Sequence, residues 1–307
     1  MTATKPEGMY PFSVSLRSGS SGNSTFIRTE SAGIAIDCGL NGRQFALALQ
    51  SIGQSPRAVD ALLLTHEHTD HCSGLGVVMR RHHIPLYLTE KTYQAVKDDL
   101  GKVKESLIHL IEPGRAFMIR DVRVLPFSTP HDAVDSVGFR LETADGDIGV
   151  ATDLGHFSET VRQGLAGCKI VHLESNYEPD MLETGPYPAF LKRRIAGSRG
   201  HLSNQEAGLA ASWLIRHGTR LVVLSHLSEE NNHPRRALEV VRSYLPEAGA
   251  GTGVDFQIHV SPRHVCSGLF SCKDHLVGQI APNGTNLPGD QLSWLEPDQD
   301  EDRRETV

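Results

Sequence analysis

Six apolar runs in this chain each stop at a carboxylate or an imidazole. GIAI runs into Asp37, ALLLT into His66, VLPFSTP into His131, IGVAT into Asp153, IVHL into Glu174 and LVVLS into His226. One or two such endings are ordinary, because turns favour Asp and His. Six point to a polar site assembled along one edge of a sheet. The densest stretch is Thr65-His66-Glu67-His68-Thr69-Asp70-His71. His66 and His68 are two apart, so an extended backbone aims both to the same side. Asp70 and His71 follow where the chain turns into a helix. Four such donors between positions 66 and 71 would crowd one tetrahedral ion. As two pairs, they suit two ions lying close together. Mixed imidazole and carboxylate donors are accepted by both Zn²⁺ and Mn²⁺. A pair of divalent cations implies hydrolysis, since metal-held water becomes a nucleophile near neutral pH.

These residues need elements to position them. Short β-branched or apolar runs bounded by Gly, Pro, Asp or Asn predict strands at 12–16, 25–29, 33–36, 61–65, 86–88, 122–127, 137–142, 147–152, 170–173, 221–225 and 256–260. Helices are predicted at 43–52, 74–82, 90–100, 204–217 and 234–245. The fourth opens on a capping box, Ser203 with Glu206 three residues on, and the fifth on Pro234 at a first helical position. Strands come first and then mix with helices. That order predicts an α/β (α+β) layered domain rather than a doubly wound parallel sheet. No Pro/Gly/Ser linker divides 11–281, so it reads as one domain. Residues 1–10 read as a flexible lead-in and 282–307 as an acidic tail without structure.

The composition narrows the function. The chain has 307 residues and a net charge of −7, of which 290–307, with seven acids and two arginines, carries −5. The body, at −7 + 5 = −2, has no broad basic face for duplex binding. Nucleic acid stays possible because a metal centre supplies local positive charge. No apolar run approaches the ~20 residues of a membrane span, and the start MTATKPEGMYPFS has no secretory core, so a cytoplasmic place is expected. Five scattered cysteines without a CxxC predict free thiols rather than disulfides.

HxHxDH after an apolar strand resembles the metallo-β-lactamase fold, and the resemblance spans roughly 12–265. It implies a four-layer αββα sandwich with a dinuclear site. By that resemblance His66, His68 and His131 would hold the first ion, and Asp70, His71 and His226 the second. Asp153 would bridge them, and Asp37 would orient the ligands from behind. His201 competes with His226 for the last position; a place at the end of a buried strand favours His226. SGSSGNS, LLLTHEHTDHCSGLGV, HLESNY, GHLSN and LSHLSEENN resemble the YycJ/WalJ type, related to RNase Z and β-CASP nucleases and described as a DNA exonuclease. The 73 positions from Asp153 to His226 leave no room for a β-CASP cap of ~100 residues. The segment 178–200, with its GPYP and KRR, is too short for an RNase Z arm and reads as a surface loop.

The resemblance therefore implies a phosphodiesterase or exonuclease with nucleic acid, DNA foremost, as substrate. His201 would assist the leaving oxygen, with Glu174 orienting it and Asp70 holding metal and nucleophile. Ser203 and Asn204, at a helix start where free N–H groups attract phosphate, are candidate substrate contacts. The same donors would serve a glyoxalase-II-like thioesterase, which the acidic balance suits, or a metal-binding regulatory protein without turnover.

Overall fold

The computed structural model describes residues 10–245 and 256–273, and beyond them the strands His275–Ile280 and Asn286–Leu287. Its first sheet is built from β1 (Phe12–Arg17), β2 (Ser24–Arg28), β3 (Gly33–Ile36), β4 (Ala61–Leu63), β5 (Leu86–Thr89) and β6 (Ile108–Ile111). The second uses β7 (Phe117–Ile119), β8 (Val122–Ser128), β9 (Val137–Glu142), β10 (Ile148–Ala151), β11 (Ile170–Glu174), β12 (Leu221–Ser225) and β13 (Gln257–Val260). β14 (Leu269–Ser271) returns to the first sheet and pairs with β1, followed by β15 (His275–Ile280) and β16 (Asn286–Leu287). The orders are β16-β15-β14-β1-β2-β3-β4-β5-β6 and β13-β12-β11-β10-β9-β8-β7. In each sheet an antiparallel part gives way to parallel strands, at β3 to β6 and at β10 to β13.

Both faces of the central strands are covered. Ile34, Ile36, Ala61 and Leu63 meet Val137, Phe139, Ile148, Val150, Leu221 and Val223 between the sheets. The alternate residues Ala35, Leu62 and Leu64 face a helical layer, and so do Val171, Leu173, Val222 and Leu224 on the other side. Strands buried on both faces read as unbroken apolar runs, which is why they were legible in the sequence. The helices are α1 (Gly42–Ser51), α2 (Thr69–Cys72), α3 (Leu75–His82) and α4 (Glu90–Leu100) by the first sheet. α5 (Glu159–Leu165), α6 (Pro179–Thr184), α7 (Ala189–Ile195), α8 (Asn204–Arg216) and α9 (Pro234–Ser243) belong to the second half. The result is the αββα sandwich.

Local chemistry sets the helix starts. Asn41 accepts from the N–H groups of Arg43 and Gln44, Thr89 caps α4, and Ser203 with Glu206 forms the expected capping box. Several expectations need correction. The strand expected over 61–65 ends at Leu63, which frees Thr65 and His66 for the site. The segment 178–200 carries α6 and α7 rather than a bare loop. β6, β7, β14, α2 and α5 had no counterpart in the sequence reading; each is seven residues or fewer. Residues 1–9 lie outside the described residues. Within the expected tail, Asn286–Leu287 pairs with Gln279 and Ile280, and the rest lies outside the described residues.

Candidate metal centre

β3, β4, β8, β10, β11 and β12 deliver their carboxyl ends to one edge of the sandwich, where ligands gather in open α/β sheets. Three strand-end residues there have left-handed backbones: Asp37 (φ 61°), Asp153 (φ 62°) and His226 (φ 58°). A non-glycine residue in that region costs about 1–3 kcal/mol, a strain that collects at functional sites. The sharp turn swings each side chain back across the edge.

Two groups of donors face each other. His66, His68 and His131 form one; Asp70, His71 and His226 form the other, with donor atoms within 4.8 Å inside each. Asp153 lies between them. Its Oδ2 is 3.1 Å from His71 Nε2, and its Oδ1 is 3.7 Å from His131 Nε2 and 3.5 Å from His226 Nδ1. Every one of the seven expected metal donors is therefore in the cluster.

Partners behind the rings orient them. Thr65 donates its backbone N–H and its hydroxyl to Asp37, so its Oγ1 accepts from His66 Nδ1 at 2.9 Å. Asp37 Oδ2 takes His71 Nδ1 at 2.7 Å, the Gly200 carbonyl takes His131 Nδ1 at 3.0 Å, and Glu174 takes His226 Nδ1 at 3.0 Å. Each of these Nδ1 atoms thus has an oxygen partner behind it, which turns Nε2 toward the donor edge, the arrangement seen behind metal-bound histidine. Asp37 does sit behind the donors, as expected.

The donor set fits cations. His66 Nε2 and His131 Nε2 lie 3.0 and 3.3 Å from His68 Nδ1. The first two carry lone pairs, so three converging nitrogens share at most one proton. Asp153 Oδ2 makes no hydrogen bond of good geometry and faces His71 Nε2 at 3.1 Å, and a buried carboxylate calls for positive charge beside it. Electrostatics point the same way. Burial disfavours a charged His226, yet Asp153, Asp70 and Glu174 raise its pKa to about 10. His71 behaves likewise: burial opposes its charge, and Asp153, Asp37 and Asp70 outweigh it. The edge is built to attract positive charge. His66, by contrast, is held neutral by burial and by the neighbouring imidazoles, as a donor should be.

Glu174 is fully buried and saturated. Its Oε2 accepts the N–H groups of Leu154 (2.8 Å) and Leu202 (3.0 Å), and its Oε1 accepts His201 Nδ1 (2.7 Å) and His226 Nδ1 (3.0 Å). It touches no cleft, so it is a positioning residue for both histidines. His201 lines the open cleft together with His68, Asp70, Asp153, Asn176 and Tyr187, among others. Burial lowers its pKa, but Glu174 and Asp153 outweigh that and raise it.

Ser203 and Asn204 do not meet the expectation of substrate contact. Ser203 is spent on the capping box, and Asn204 is buried among Ser175, Glu178 and Asn232. A helix start looks the same in sequence whether it caps or binds. Sequence reasoning also missed three asparagine and serine supports. Asn23 Nδ2 is 3.1 Å from both Asp70 Oδ2 and His71 Nε2, and its backbone N–H donates to the Asp70 carbonyl at 2.7 Å. Asn176 donates to the His226 carbonyl at 2.8 Å, and Ser18 accepts the His226 N–H at 2.7 Å. SGSSGNS and ESNY contained them, but only as resemblance. Gly39 allows the close approach at Asn23, since a Cβ there would lie 1.7 Å from the Asp70 carbonyl oxygen. All five cysteines are free, and burial pushes the thiols of Cys38, Cys168 and Cys272 up to about 12, away from reactivity.

Residues 33–227 match the beta-lactamase superfamily domain. The chain is 35% identical over 246 residues to the exodeoxyribonuclease WalJ of Streptococcus pneumoniae, covering 80% of this chain and 91% of that one. It is 33% identical over 248 residues to the exodeoxyribonuclease YycJ of Bacillus anthracis, covering 81% and 94%. Among solved structures, the metallo-beta-lactamase fold protein YhfI from Bacillus subtilis superposes with a TM-score of 0.64 at 13% identity, over 83% of this chain and 98% of that one. With its sandwich, its donor-lined edge and these relatives, the chain belongs to the beta-lactamase superfamily, on the branch that holds WalJ and YycJ.

Proposed function

We propose that the protein is a metal-dependent phosphodiester hydrolase, an exonuclease acting on DNA in the cytoplasm, with two divalent cations, Zn²⁺ or Mn²⁺, as cofactors. His66, His68 and His131 would hold one cation, Asp70, His71 and His226 the other, and Asp153 both. When bound, the cations would supply Lewis acidity that lowers the pKa of water and offsets phosphate charge. Asp70, partly exposed at the cleft, and Asp153 would accept hydrogen bonds from the attacking water. His201 would give its proton to the leaving oxygen, held in the donor orientation by Glu174. The observation that carries this reading is His201 itself. Its Nδ1 is tied to Glu174 at 2.7 Å, which leaves Nε2 for the cleft that the ring lines, beside both donor groups. A thioester leaves as a thiolate and needs no such acid. The names of the WalJ and YycJ relatives support DNA as the substrate.

The test is one panel: protein loaded with Mn²⁺ or Zn²⁺, against end-labelled single- and double-stranded DNA and RNA and a glutathione thioester. Stepwise shortening of DNA is expected. Thioester turnover with inert nucleic acids would move the protein to the small-molecule hydrolases.

A further inference from the structure

Asp132 directly follows a metal donor, Arg194 stands on α7, and the two pair across the mouth of the cleft that both line. His131 shows where the carboxylate lies. A carbonyl only accepts, so the Gly200 carbonyl takes the proton of His131 Nδ1 and leaves Nε2 at the donor edge. Asp132 Oδ1 is 3.3 Å from that Nε2, yet Asp132 belongs to none of the groups of converging donors. Its Oδ2 accepts from Arg194 Nε. The carboxylate therefore stands between the first donor group and a guanidinium. The loop that carries it is tied down on two sides. Arg199, just beyond α7, donates to the backbone carbonyls of His131 and Ala133, and Glu67 accepts the Val134 N–H at 2.9 Å.

The way Arg194 is held leaves part of it unspent. Arg120 grips Asp60 through Nε and Nη2, and Arg140 grips Asp147 in the same way. Arg194 gives Asp132 its Nε alone, and its Nη1 and Nη2 form no hydrogen bond among the described residues. The free Nη1–Nη2 fork matches two oxygens of a phosphate. Arg194 is also the one Lys or Arg among the described residues that line the cleft, against three carboxylates, Asp70, Asp132 and Asp153. The donor groups would hold the phosphate that is cut, and Arg194, one carboxylate further out, is placed for the next one along the strand. From the Nε-only pairing of Arg194 with Asp132 beside the first donor group, we propose that Arg194 clamps the phosphate neighbouring the scissile one. Asp132 is its positioning residue, holding Nε so that the fork stays open to the cleft. This rests on the phosphodiesterase reading above and adds the contact by which the cleft recognises a chain of phosphates rather than a lone diester.

The experiment compares the metal-loaded wild type with Arg194→Gln, Asp132→Ala and Asp132→Asn, with metal content and circular dichroism measured for each. Three DNA substrates are used: one with a terminal phosphate, one with a terminal hydroxyl instead, and one with an uncharged methylphosphonate at the second linkage. The last two each remove one charge flanking the terminal linkage. Arg194→Gln is expected to raise KM on the intact DNA about tenfold or more, the size of a lost charge-assisted pair at a partly exposed site. On one of the two altered strands the wild type should lose a similar factor, and Arg194→Gln should add no more than about twofold to it, because the two losses share one contact. In a His201→Ala background, where turnover is slow, Arg194→Gln should flatten the salt dependence of DNA binding by a slope of about 0.7–0.9, one phosphate contact. Asp132→Ala should raise KM although it takes an acid out of an anion's path, and Asp132→Asn, whose Oδ1 still accepts from Nε, should recover most of that loss. If Arg194→Gln keeps the wild-type KM on intact DNA, or if its loss adds in full on both altered strands, the clamp is refuted while the phosphodiesterase reading stands. If Asp132→Ala lowers KM or loses metal, the positioning role is refuted. If the wild type cuts no DNA, both readings fall.

Discussion

Replacing Glu174 with Gln removes one charge and changes no shape, and the structure dictates what must follow. The carboxylate accepts four hydrogen bonds, two from backbone N–H groups and two from imidazoles. An amide has one acceptor oxygen. If that oxygen stays with Leu154 and Leu202, the NH2 group faces the Nδ1 atoms of His201 and His226. Both rings must then accept at Nδ1 and carry their proton on Nε2. For His226 that proton enters the donor group, where Nε2 lies 3.3 Å from Asp70 Oδ2, and a protonated nitrogen cannot hold a metal. The reverse orientation sets the NH2 against two buried N–H groups, each left unsatisfied at about 1–3 kcal/mol. The first arrangement is therefore favoured, and metal affinity should fall about 10–100-fold, as for other outer partners of metal-binding histidine. His201 also loses the carboxylate that raises its pKa, so turnover at saturating metal should fall as well. The assay is a competition titration against a chromogenic chelator, beside turnover at saturating Mn²⁺ and circular dichroism to verify the fold. A folded Glu174→Gln protein with wild-type metal affinity and turnover would refute the reasoning.

His226→Ala should lose metal and activity together, whereas His201→Ala should keep its metal and lose about 10²–10⁴-fold in kcat, the range for a general acid; elemental analysis beside single-turnover cleavage checks both. Exhaustive chelation should abolish hydrolysis and lower the unfolding temperature without unfolding the chain at 25 °C, because both helix-facing cores and the layer between the sheets lie apart from the donor edge; calorimetry with and without Mn²⁺ measures it, and a chain that unfolds on chelation would contradict it. His172 is buried between the sheets against Ser13 and Ser15, and burial lowers its pKa to about 3. The unfolded chain takes up that proton below about 6.5, so stability present above that pH is lost as pH falls toward 3, by about 2 kcal/mol at pH 5. Urea unfolding at pH 7 and 5 should show a smaller acid loss in His172→Gln by that amount; an equal loss would place the sensitivity elsewhere.

The sequence by itself determined the donor list and the layers. His66, His131, Asp153 and His226 were legible because a charged or imidazole residue stands out at the end of an apolar strand, and His68, Asp70 and His71 because they crowd the stretch after His66. The capping box and the apolar strand runs are equally local, and so an α/β (α+β) layered domain could be read, while the four-layer sandwich followed only from the family resemblance. Short elements could not: α5, α6 and α7 are seven residues or fewer, too short for a helical period to mark them in the sequence. Tertiary structure alone decided what each polar residue does. Ser203 and Asn204 read as anion contacts, yet Ser203 is spent on its capping box with Glu206 and long-range neighbours consume Asn204. Glu174 serves two rings 27 and 52 positions away, and Asn23 supports Asp70 from 47 positions away. A hydrogen bond depends on where a donor and an acceptor meet in space, and spacing along the chain carries that information only within a helix turn or a strand.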